Sequence, residues 1–488
     1  MKNYIMNNLP ENGRFQDTNA NFQSERHTLY KEYKDMYDNF EEYYIKMGRL
    51  NQFSWEHPYL PLALPKEISN LYSDLAFGNP INATTKSNKQ ADAAIDDIIE
   101  DNELNVQLSE ASISQSYKGG IVAKNYLDNG ISKITFIEPD YYFPVTSPTD
   151  KRKVLYEDIA IPFIQGNKQY LHTERYLQDG DGYYRCITQI YDYANDKKGK
   201  AITEPEEVNT KLTQSPLTYI PFSRSGTNFW GDSLYRGLTP LFDELNHRTT
   251  QVSNVLDIHA DPAMWAVSSV FDDDGNLKRK GNKVYEVDED SEGSVKEPMG
   301  YITWDGQLSA NFKFIEDIIY KTLHYVSPLA PALYGMDSAS QASGRAIQLK
   351  SWRTQCKITR SYQYWRTALK KVLYVAQQLQ IISGEKSYTP EIPQIELSIN
   401  MPVDLLENAQ AEQLKVEAGL TSKKSSIARL NPHMTTKEVE EEWLEIINEQ
   451  NENNQQTFMT DMTGFGSPLD DNSNTDDTTN NGDTNGDN

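Results

Sequence analysis

The chain has 488 residues, of which 24 % are charged and 11 % aromatic, and its formal charge is −24. That length allows several cores in two to four sub-domains, and the composition is that of a folded rather than a disordered chain. Two cysteines exclude a disulfide framework or a four-ligand zinc site and point to a reducing interior, no run approaches the ~20 apolar residues of a membrane span, and the acidic balance argues against tight DNA binding by phosphate neutralisation, though not against a surface that nucleic acid slides past.

Residues 1–26 are polar and aperiodic, an arm without the apolar run of a signal peptide. His27–Met47 reads as a helix with an aromatic stripe of Tyr30, Tyr33, Tyr37, Phe40 and Tyr44. A second helix carries Ile68, Leu71, Tyr72 and Leu75 and stops at Gly78-Asn-Pro80. A third opens after Ser87 with Ala91, Ala94, Ile95, Ile98 and Ile99, and Gly119-Gly120 then switches the period to that of strands. Ile121–Leu127 and Ile131–Ile137 flank Asp128-Asn129-Gly130 as a hairpin. Strand-like runs follow at Val154–Ile164, Tyr170–Leu177 and Tyr183–Tyr193, with a turn at Asp179–Gly182.

Pro221–Gly231 is a loop, and Pro240–His259 is a helix stopped by Asp261-Pro262. About 45 residues of short strands and turns precede a returning helix marked by Phe314, Ile315, Ile318, Ile319 and Leu323. Small residues fill Gly335–Gly344. From Arg345 to Ile382 no Gly or Pro occurs, a helix of roughly 57 Å. Ile347, Ile358, Tyr362, Trp365, Leu369, Val372 and Ala376 share one of its faces, and Lys350, Arg353, Lys357, Arg360 and Lys371 the other. Beyond it lie a strand at Ile395–Ile399, a helix at Leu405–Ala418, a short helix ending at Asn431-Pro432, and a helix through Trp443 and Ile447 opened by the capping box Thr435–Glu438. Past Asn451 the composition cannot support an ordered core. The fold class is α+β.

Candidate chemistry is sparse. Gly231-Asp-Ser-Leu234 matches the signature of a serine hydrolase family, but that chemistry needs a base from a later Asp-x-x-His, and no His here has Asp three residues before it. Asp272-Asp-Asp-Gly275 and Asp179-Gly-Asp-Gly182 lack the ligand spacing of a calcium loop, and Ser343-Gly344-Arg345 lacks a phosphate-loop pattern. The sequence therefore predicts no catalytic residue, no metal site and no cofactor.

Charge is placed unevenly. Glu438–Asn488 holds fourteen acidic residues and no basic one, whereas no Asp or Glu occurs between Asp337 and Glu385. Three readings of the basic helix face stand open: a solvated face, DNA contact, or contact with an acidic neighbouring copy. Thirty Tyr against 16 Phe suit the half-buried rings of subunit interfaces.

The order of parts resembles bacteriophage portal proteins, in particular the group in tailed phages of Gram-positive hosts, over roughly Leu29–Gln450. Four passages carry the resemblance. Phe77-Gly-Asn-Pro80 and Ser116-Tyr-Lys-Gly-Gly120, leading to Ile137-Glu-Pro-Asp140 and Phe143-Pro144, are similar to the portal lead-in. Gly231 to Asn246, followed by Ala260-Asp-Pro262, is similar to the first stem helix and absorbs the hydrolase tetrapeptide. Ser343-Gly-Arg-Ala-Ile-Gln-Leu349 is similar to the opening of the long wing helix. Ala418-Gly-Leu-Thr-Ser-Lys423 and Glu438-Val-Glu-Glu-Glu-Trp-Leu-Glu445 are similar to the C-terminal helices.

The resemblance implies a portal fold: a flexible arm (1–26), a wing (27–230), a first stem helix (231–261), a clip (262–307) and a second stem helix (308–330). A tunnel loop (331–344), the long wing helix with a strand (345–403), a helical crown (404–450) and a disordered acidic tail (451–488) complete it. It implies a homo-oligomeric ring, usually of twelve copies, at one capsid vertex of the virion, assembled in the host cytoplasm. Double-stranded DNA would pass through the channel, with no membrane involved. The partners would be the terminase large subunit, then a head–tail adaptor, with capsid and scaffold proteins around it. Met336, Asp337, Ser338, Ala339, Ser340 and Gln341 would face the DNA, and Lys350, Arg353, Lys357 and Arg360 are candidates for the subunit interface. A non-channel virion or scaffold protein and a serine hydrolase acting through Ser233 are the rival readings.

Overall fold

A computed structural model of the chain describes residues 25–39, 60–85, 88–147, 149–150, 152–195, 197–225, 229–260, 264–267, 284–287, 299–301, 308–320, 349–401, 405–431 and 434–463. Contacts divide the chain into one unit up to Ala411 and a second from Glu412.

The first unit begins with helices α1 (Glu25–Tyr37) and α2 (Leu64–Phe77), a short strand β1 (Asn82–Thr84), and helices α3 (Lys89–Asp101) and α4 (Leu104–Lys118). Helix ends have local causes. Asn88 caps α3 by accepting from the Gln90 and Ala91 N–H groups, and Gly119 stops α4 in the left-handed conformation (φ 81°). β2 (Gly120–Asp128) and β3 (Ile131–Ile137) form the predicted hairpin. Its turn residues Asn129 and Gly130 both have positive φ, as a two-residue loop requires.

β4 (Tyr142–Thr146), β5 (Val154–Gln165), β6 (Lys168–Gln178), β7 (Tyr184–Ala194) and β8 (Lys197–Ala201) follow one another as antiparallel neighbours, with β9 (Glu206–Asn209) also on β7. The three long central strands lie within a few residues of their predicted limits. β10 (Leu217–Pro221) then returns to β2, giving a second sheet in the order β10-β2-β3. Helix α5 (Thr239–Ala260) leads to three short strands, β11 (Met264–Val267), β12 (Val284–Val287) and β13 (Met299–Tyr301), ordered β12-β11-β13. Helix α6 (Leu308–Lys313) comes back and widens into a π-helical stretch at Phe314–Tyr320, where the Arg248 guanidinium of α5 lies 5.5 Å from the Phe314 ring.

Helix α7 (Trp352–Ser383) is the spine of this unit. Ile358, Tyr362, Trp365, Leu369, Val372 and Ala376, the predicted apolar stripe, are all buried; Ile347 lies outside the described residues. Phe77 meets the Trp365 ring edge-on at 4.9 Å. Polar pegs fix the helix in register. Trp365 Nε1 donates to Gln115 Oε1 (2.9 Å), the Tyr362 hydroxyl donates to the Ala76 carbonyl (2.5 Å), and Asn125 and Ser132 donate to the Val372 and Ala376 carbonyls (3.0 Å each). A buried polar group left without such a partner would cost about 1–3 kcal/mol, so a slipped register is penalised several times over. β14 (Gln394–Glu396) pairs antiparallel with β1 as a two-stranded sheet.

The second unit contains α9 (Lys423–Leu430) and α10 (Thr436–Thr463), with α8 (Leu405–Glu417) crossing its boundary. The predicted capping box is formed: the Thr435 N–H donates to Glu438 Oε2 (2.7 Å) and the Glu438 N–H to Thr435 Oγ1 (3.3 Å). Within this unit Arg429 grips Glu412 through Nε and Nη2, with Lys415 and Ser426 donating to the same carboxylate. The Arg429 guanidinium holds the Glu412 carboxyl well below the usual carboxylate range.

Several boundaries differ from expectation. α1 ends at Tyr37 rather than Met47, because Asn39 turns left-handed (φ 54°); Phe40 and Tyr44 lie outside the described residues. α4 is an additional helix between the predicted third helix and the hairpin. The strand predicted at Ile395–Ile399 shortens to Gln394–Glu396, limited by its three-residue partner. α10 continues to Thr463, past the expected end near Gln450, because no Gly or Pro interrupts it before Gly464.

Candidate functional site

The hydrolase-like tetrapeptide is a structural knot. Gly231 passes so close to Gly119 that a Cβ on it would stand 2.0 Å from the Gly119 carbonyl oxygen, a contact no side chain tolerates. Ser233 Oγ donates to the Tyr117 carbonyl (2.6 Å) and accepts from the Tyr235 N–H (3.0 Å). The Leu234 N–H donates to the Ser116 carbonyl (2.8 Å), and Asp232 pairs with Arg236. The end of α4 is thereby tied to the approach to α5. Ser233 spends its hydrogen on a backbone carbonyl, and neither bond links it to a base.

A buried carboxylate, which the sequence does not single out, lies under α7. The Tyr142 hydroxyl donates to Glu157 Oε2 (2.5 Å) and Ser215 Oγ donates to Oε1. Burial pushes the Glu157 carboxyl up, opposed by Lys371, Ser215 and Tyr142. Lys371 Nζ donates to the Leu217 carbonyl (2.8 Å), and burial pushes its ammonium down, with Glu157 opposing. Lys371 therefore faces the sheet and leaves the basic face on which the sequence placed it. β10 packs over that side of the helix, which a helical wheel cannot foresee. The cluster ties α7 to β4, β5 and β10.

The remaining basic residues gather at the start of α7. Lys350, Arg353 and Arg360 are exposed, and Lys357 is half-buried. The Lys357 ammonium stands 5.6 Å from the Phe222 ring; burial first, then Arg360, lower its pKa to about 8, with Asp232 opposing. The structure thus keeps three of the four predicted interface cations together at one surface and draws the fourth partly inward. The six tunnel-loop residues Met336–Gln341 lie outside the described residues. Among the described residues no group of three or more His, Cys, Asp or Glu side chains is placed to hold a metal ion, and no helix is long and apolar enough to cross a membrane.

Solved assemblies of similar fold include the neck of a native GTA particle computed with C12 symmetry, at 10 % identity over 75 % of this chain and 89 % of that one (TM-score 0.43). The neck of an empty GTA particle computed with C6 symmetry is 11 % identical over 76 % and 90 % (TM-score 0.46). The virion of a native gene transfer agent particle is 11 % identical over 75 % and 89 % (TM-score 0.44). No curated protein matches the chain. Residues 21–456 match the family model described as phage portal protein, SPP1 Gp6-like, and the chain belongs to that family of virion structural proteins, the head–tail connectors of the capsid.

Proposed function

We propose that the chain assembles into a ring of twelve copies whose central channel passes double-stranded DNA into and out of the capsid. The ring would dock the terminase large subunit during packaging and the head–tail adaptor afterwards. The observation that carries this reading is the family match across 21–456. The arrangement of elements suits it. α5 and α6 with its π-helical continuation, in contact where Arg248 meets Phe314, flank the small sheet β12-β11-β13 in the chain and serve as stem helices carrying a clip. The helices and sheets through β10 form the wing, α7 is its long helix, and α8–α10 belong to the crown. The cations Lys350, Arg353, Lys357 and Arg360 meet a neighbouring copy.

Charge supports a conduit. Twelve copies at −24 each carry −288 formal charges, and a channel of like sign lets phosphates slide without holding them. The family is a structural one, and ATP hydrolysis belongs to the terminase in this reading.

The segment 331–344 is the tunnel loop. Its small and hydroxylic side chains leave room for a duplex, and Met336 adapts to uneven gaps. Deleting Asp337–Ala342, or introducing Ser340→Arg, is expected to leave ring yield by size exclusion unchanged while lowering packaged DNA per capsid. Normal packaging and retention after the deletion would remove the tunnel assignment, and loss of ring formation would make the segment a structural joint.

A further inference from the structure

Large apolar and basic side chains stand exposed together at the start of α7. Trp352 is 62 % exposed and Leu349 69 %, with Arg353, Cys356 and Arg360 exposed beside them. Trp352, Arg353, Cys356 and Arg360 fall within roughly 100° of one another, opposite the buried stripe. A tryptophan flanked by arginines has the composition of an interface centre.

Elsewhere on the same unit a cleft of about 550 Å³ opens between the α3–α4 corner and the β2–β3 hairpin. Asp101, Glu103, Glu110 and Glu138 line it, together with the Tyr126 and Phe136 rings. Lys118 pairs with Glu138 at 2.9 Å. Lys133, also on the wall, donates to the Asp101 carbonyl (2.9 Å). The carboxylates of Asp101, Glu103 and Glu110 have no paired cation among the described residues. The cleft thus offers three carboxylates outside any ion pair among the described residues against one ammonium, Lys133, together with two rings, the complement of a face made of Trp and Arg.

We infer that these surfaces are the two halves of one contact: the Trp352–Arg360 face of one copy docks in the acidic cleft of the next. The inference rests on the ring reading and names the contact that closes it. The halves are different patches of one chain, so the contact is head-to-tail and repeats until the ring closes. A second copy is favoured over DNA as the occupant of the basic face. Phosphates would not require the exposed Trp352 and Leu349, and the matching acidic cleft is present on every copy.

Charge reversal tests the pairing. Arg353→Glu with Arg360→Glu, or Glu103→Arg with Glu110→Arg, should each raise the concentration for half-maximal ring assembly roughly tenfold or more, with helical circular dichroism unchanged. All four substitutions in one chain should recover assembly to within about threefold of wild type, since every contact again joins opposite charges. A second measurement does not depend on those variants folding. Glu110→Cys should be joined to the native Cys356 of the next copy by a short bismaleimide, giving a ladder of multimers that Cys356→Ser abolishes. A four-fold variant no better than its worse parent, unchanged assembly in either parent, or absence of the ladder from intact rings would overturn the contact and leave the ring reading standing. Wild-type protein that forms no ring would overturn both.

Discussion

At the residue scale, a tetrapeptide that matches a hydrolase signature is explained by the backbone it ties. Gly231 is required by its approach to the Gly119 carbonyl, and Ser233 by the Tyr117 carbonyl it satisfies. Ser233→Ala should therefore lower stability by about 1–3 kcal/mol, the cost of leaving a carbonyl unsatisfied, and Gly231→Ala by at least as much through overlap. Chemical denaturation measures both, and an ester-hydrolysis assay should read the same background for parent and variant. An esterase rate that disappears with Ser233→Ala at unchanged stability would reverse this view. The absence of an Asp-x-x-His partner was legible in the sequence. The knot itself was not, because it joins residues more than a hundred positions apart.

At the scale of elements, periodicity served well where one face is apolar and poorly where burial is polar. The stripe of α7 is buried at each described position named for it, and the β2–β3 hairpin turns at its Asn-Gly. α4 carried no such stripe: Ser112, Gln115 and Ser116 are buried on hydrogen bonds to Ser73, Ile220 and Ile113 among others. Polar residues that satisfy one another through space leave no period to read. The docking of α1 yields a pH prediction. His27 is buried, stacked on Phe143 at 5.7 Å, with Nε2 donating to the Asp140 carbonyl (2.7 Å). Burial, then Arg26, lower its pKa from 6.5 to about 3. The folded chain binds fewer protons here than the unfolded one, so stability is lost as the pH falls from 6.5 toward 3. His27→Phe, which keeps the ring stacking, should flatten the decline of melting temperature across that window. An identical decline in the variant would show that His27 does not titrate as described.

At the scale of the molecule, the fold class and family were legible in the sequence through the order of weak motifs rather than any single one. The surfaces that would join copies were legible only in part. The acid-free run from Asp337 to Glu385 marked the basic face, whereas the acidic cleft draws Asp101, Glu110 and Glu138 from separate elements and has no signature in the chain. Trp352 did leave a signal, since it falls roughly 140° around the helix from Trp365 and outside the buried stripe. Negative-stain electron microscopy of the purified 488-residue chain, with rotational classification of end-on views, tests whether the protein forms a ring around a channel. Rings of twelve units with a central hole wide enough for a DNA duplex are expected; compact monomers, or closed particles without a hole, would contradict the proposed channel.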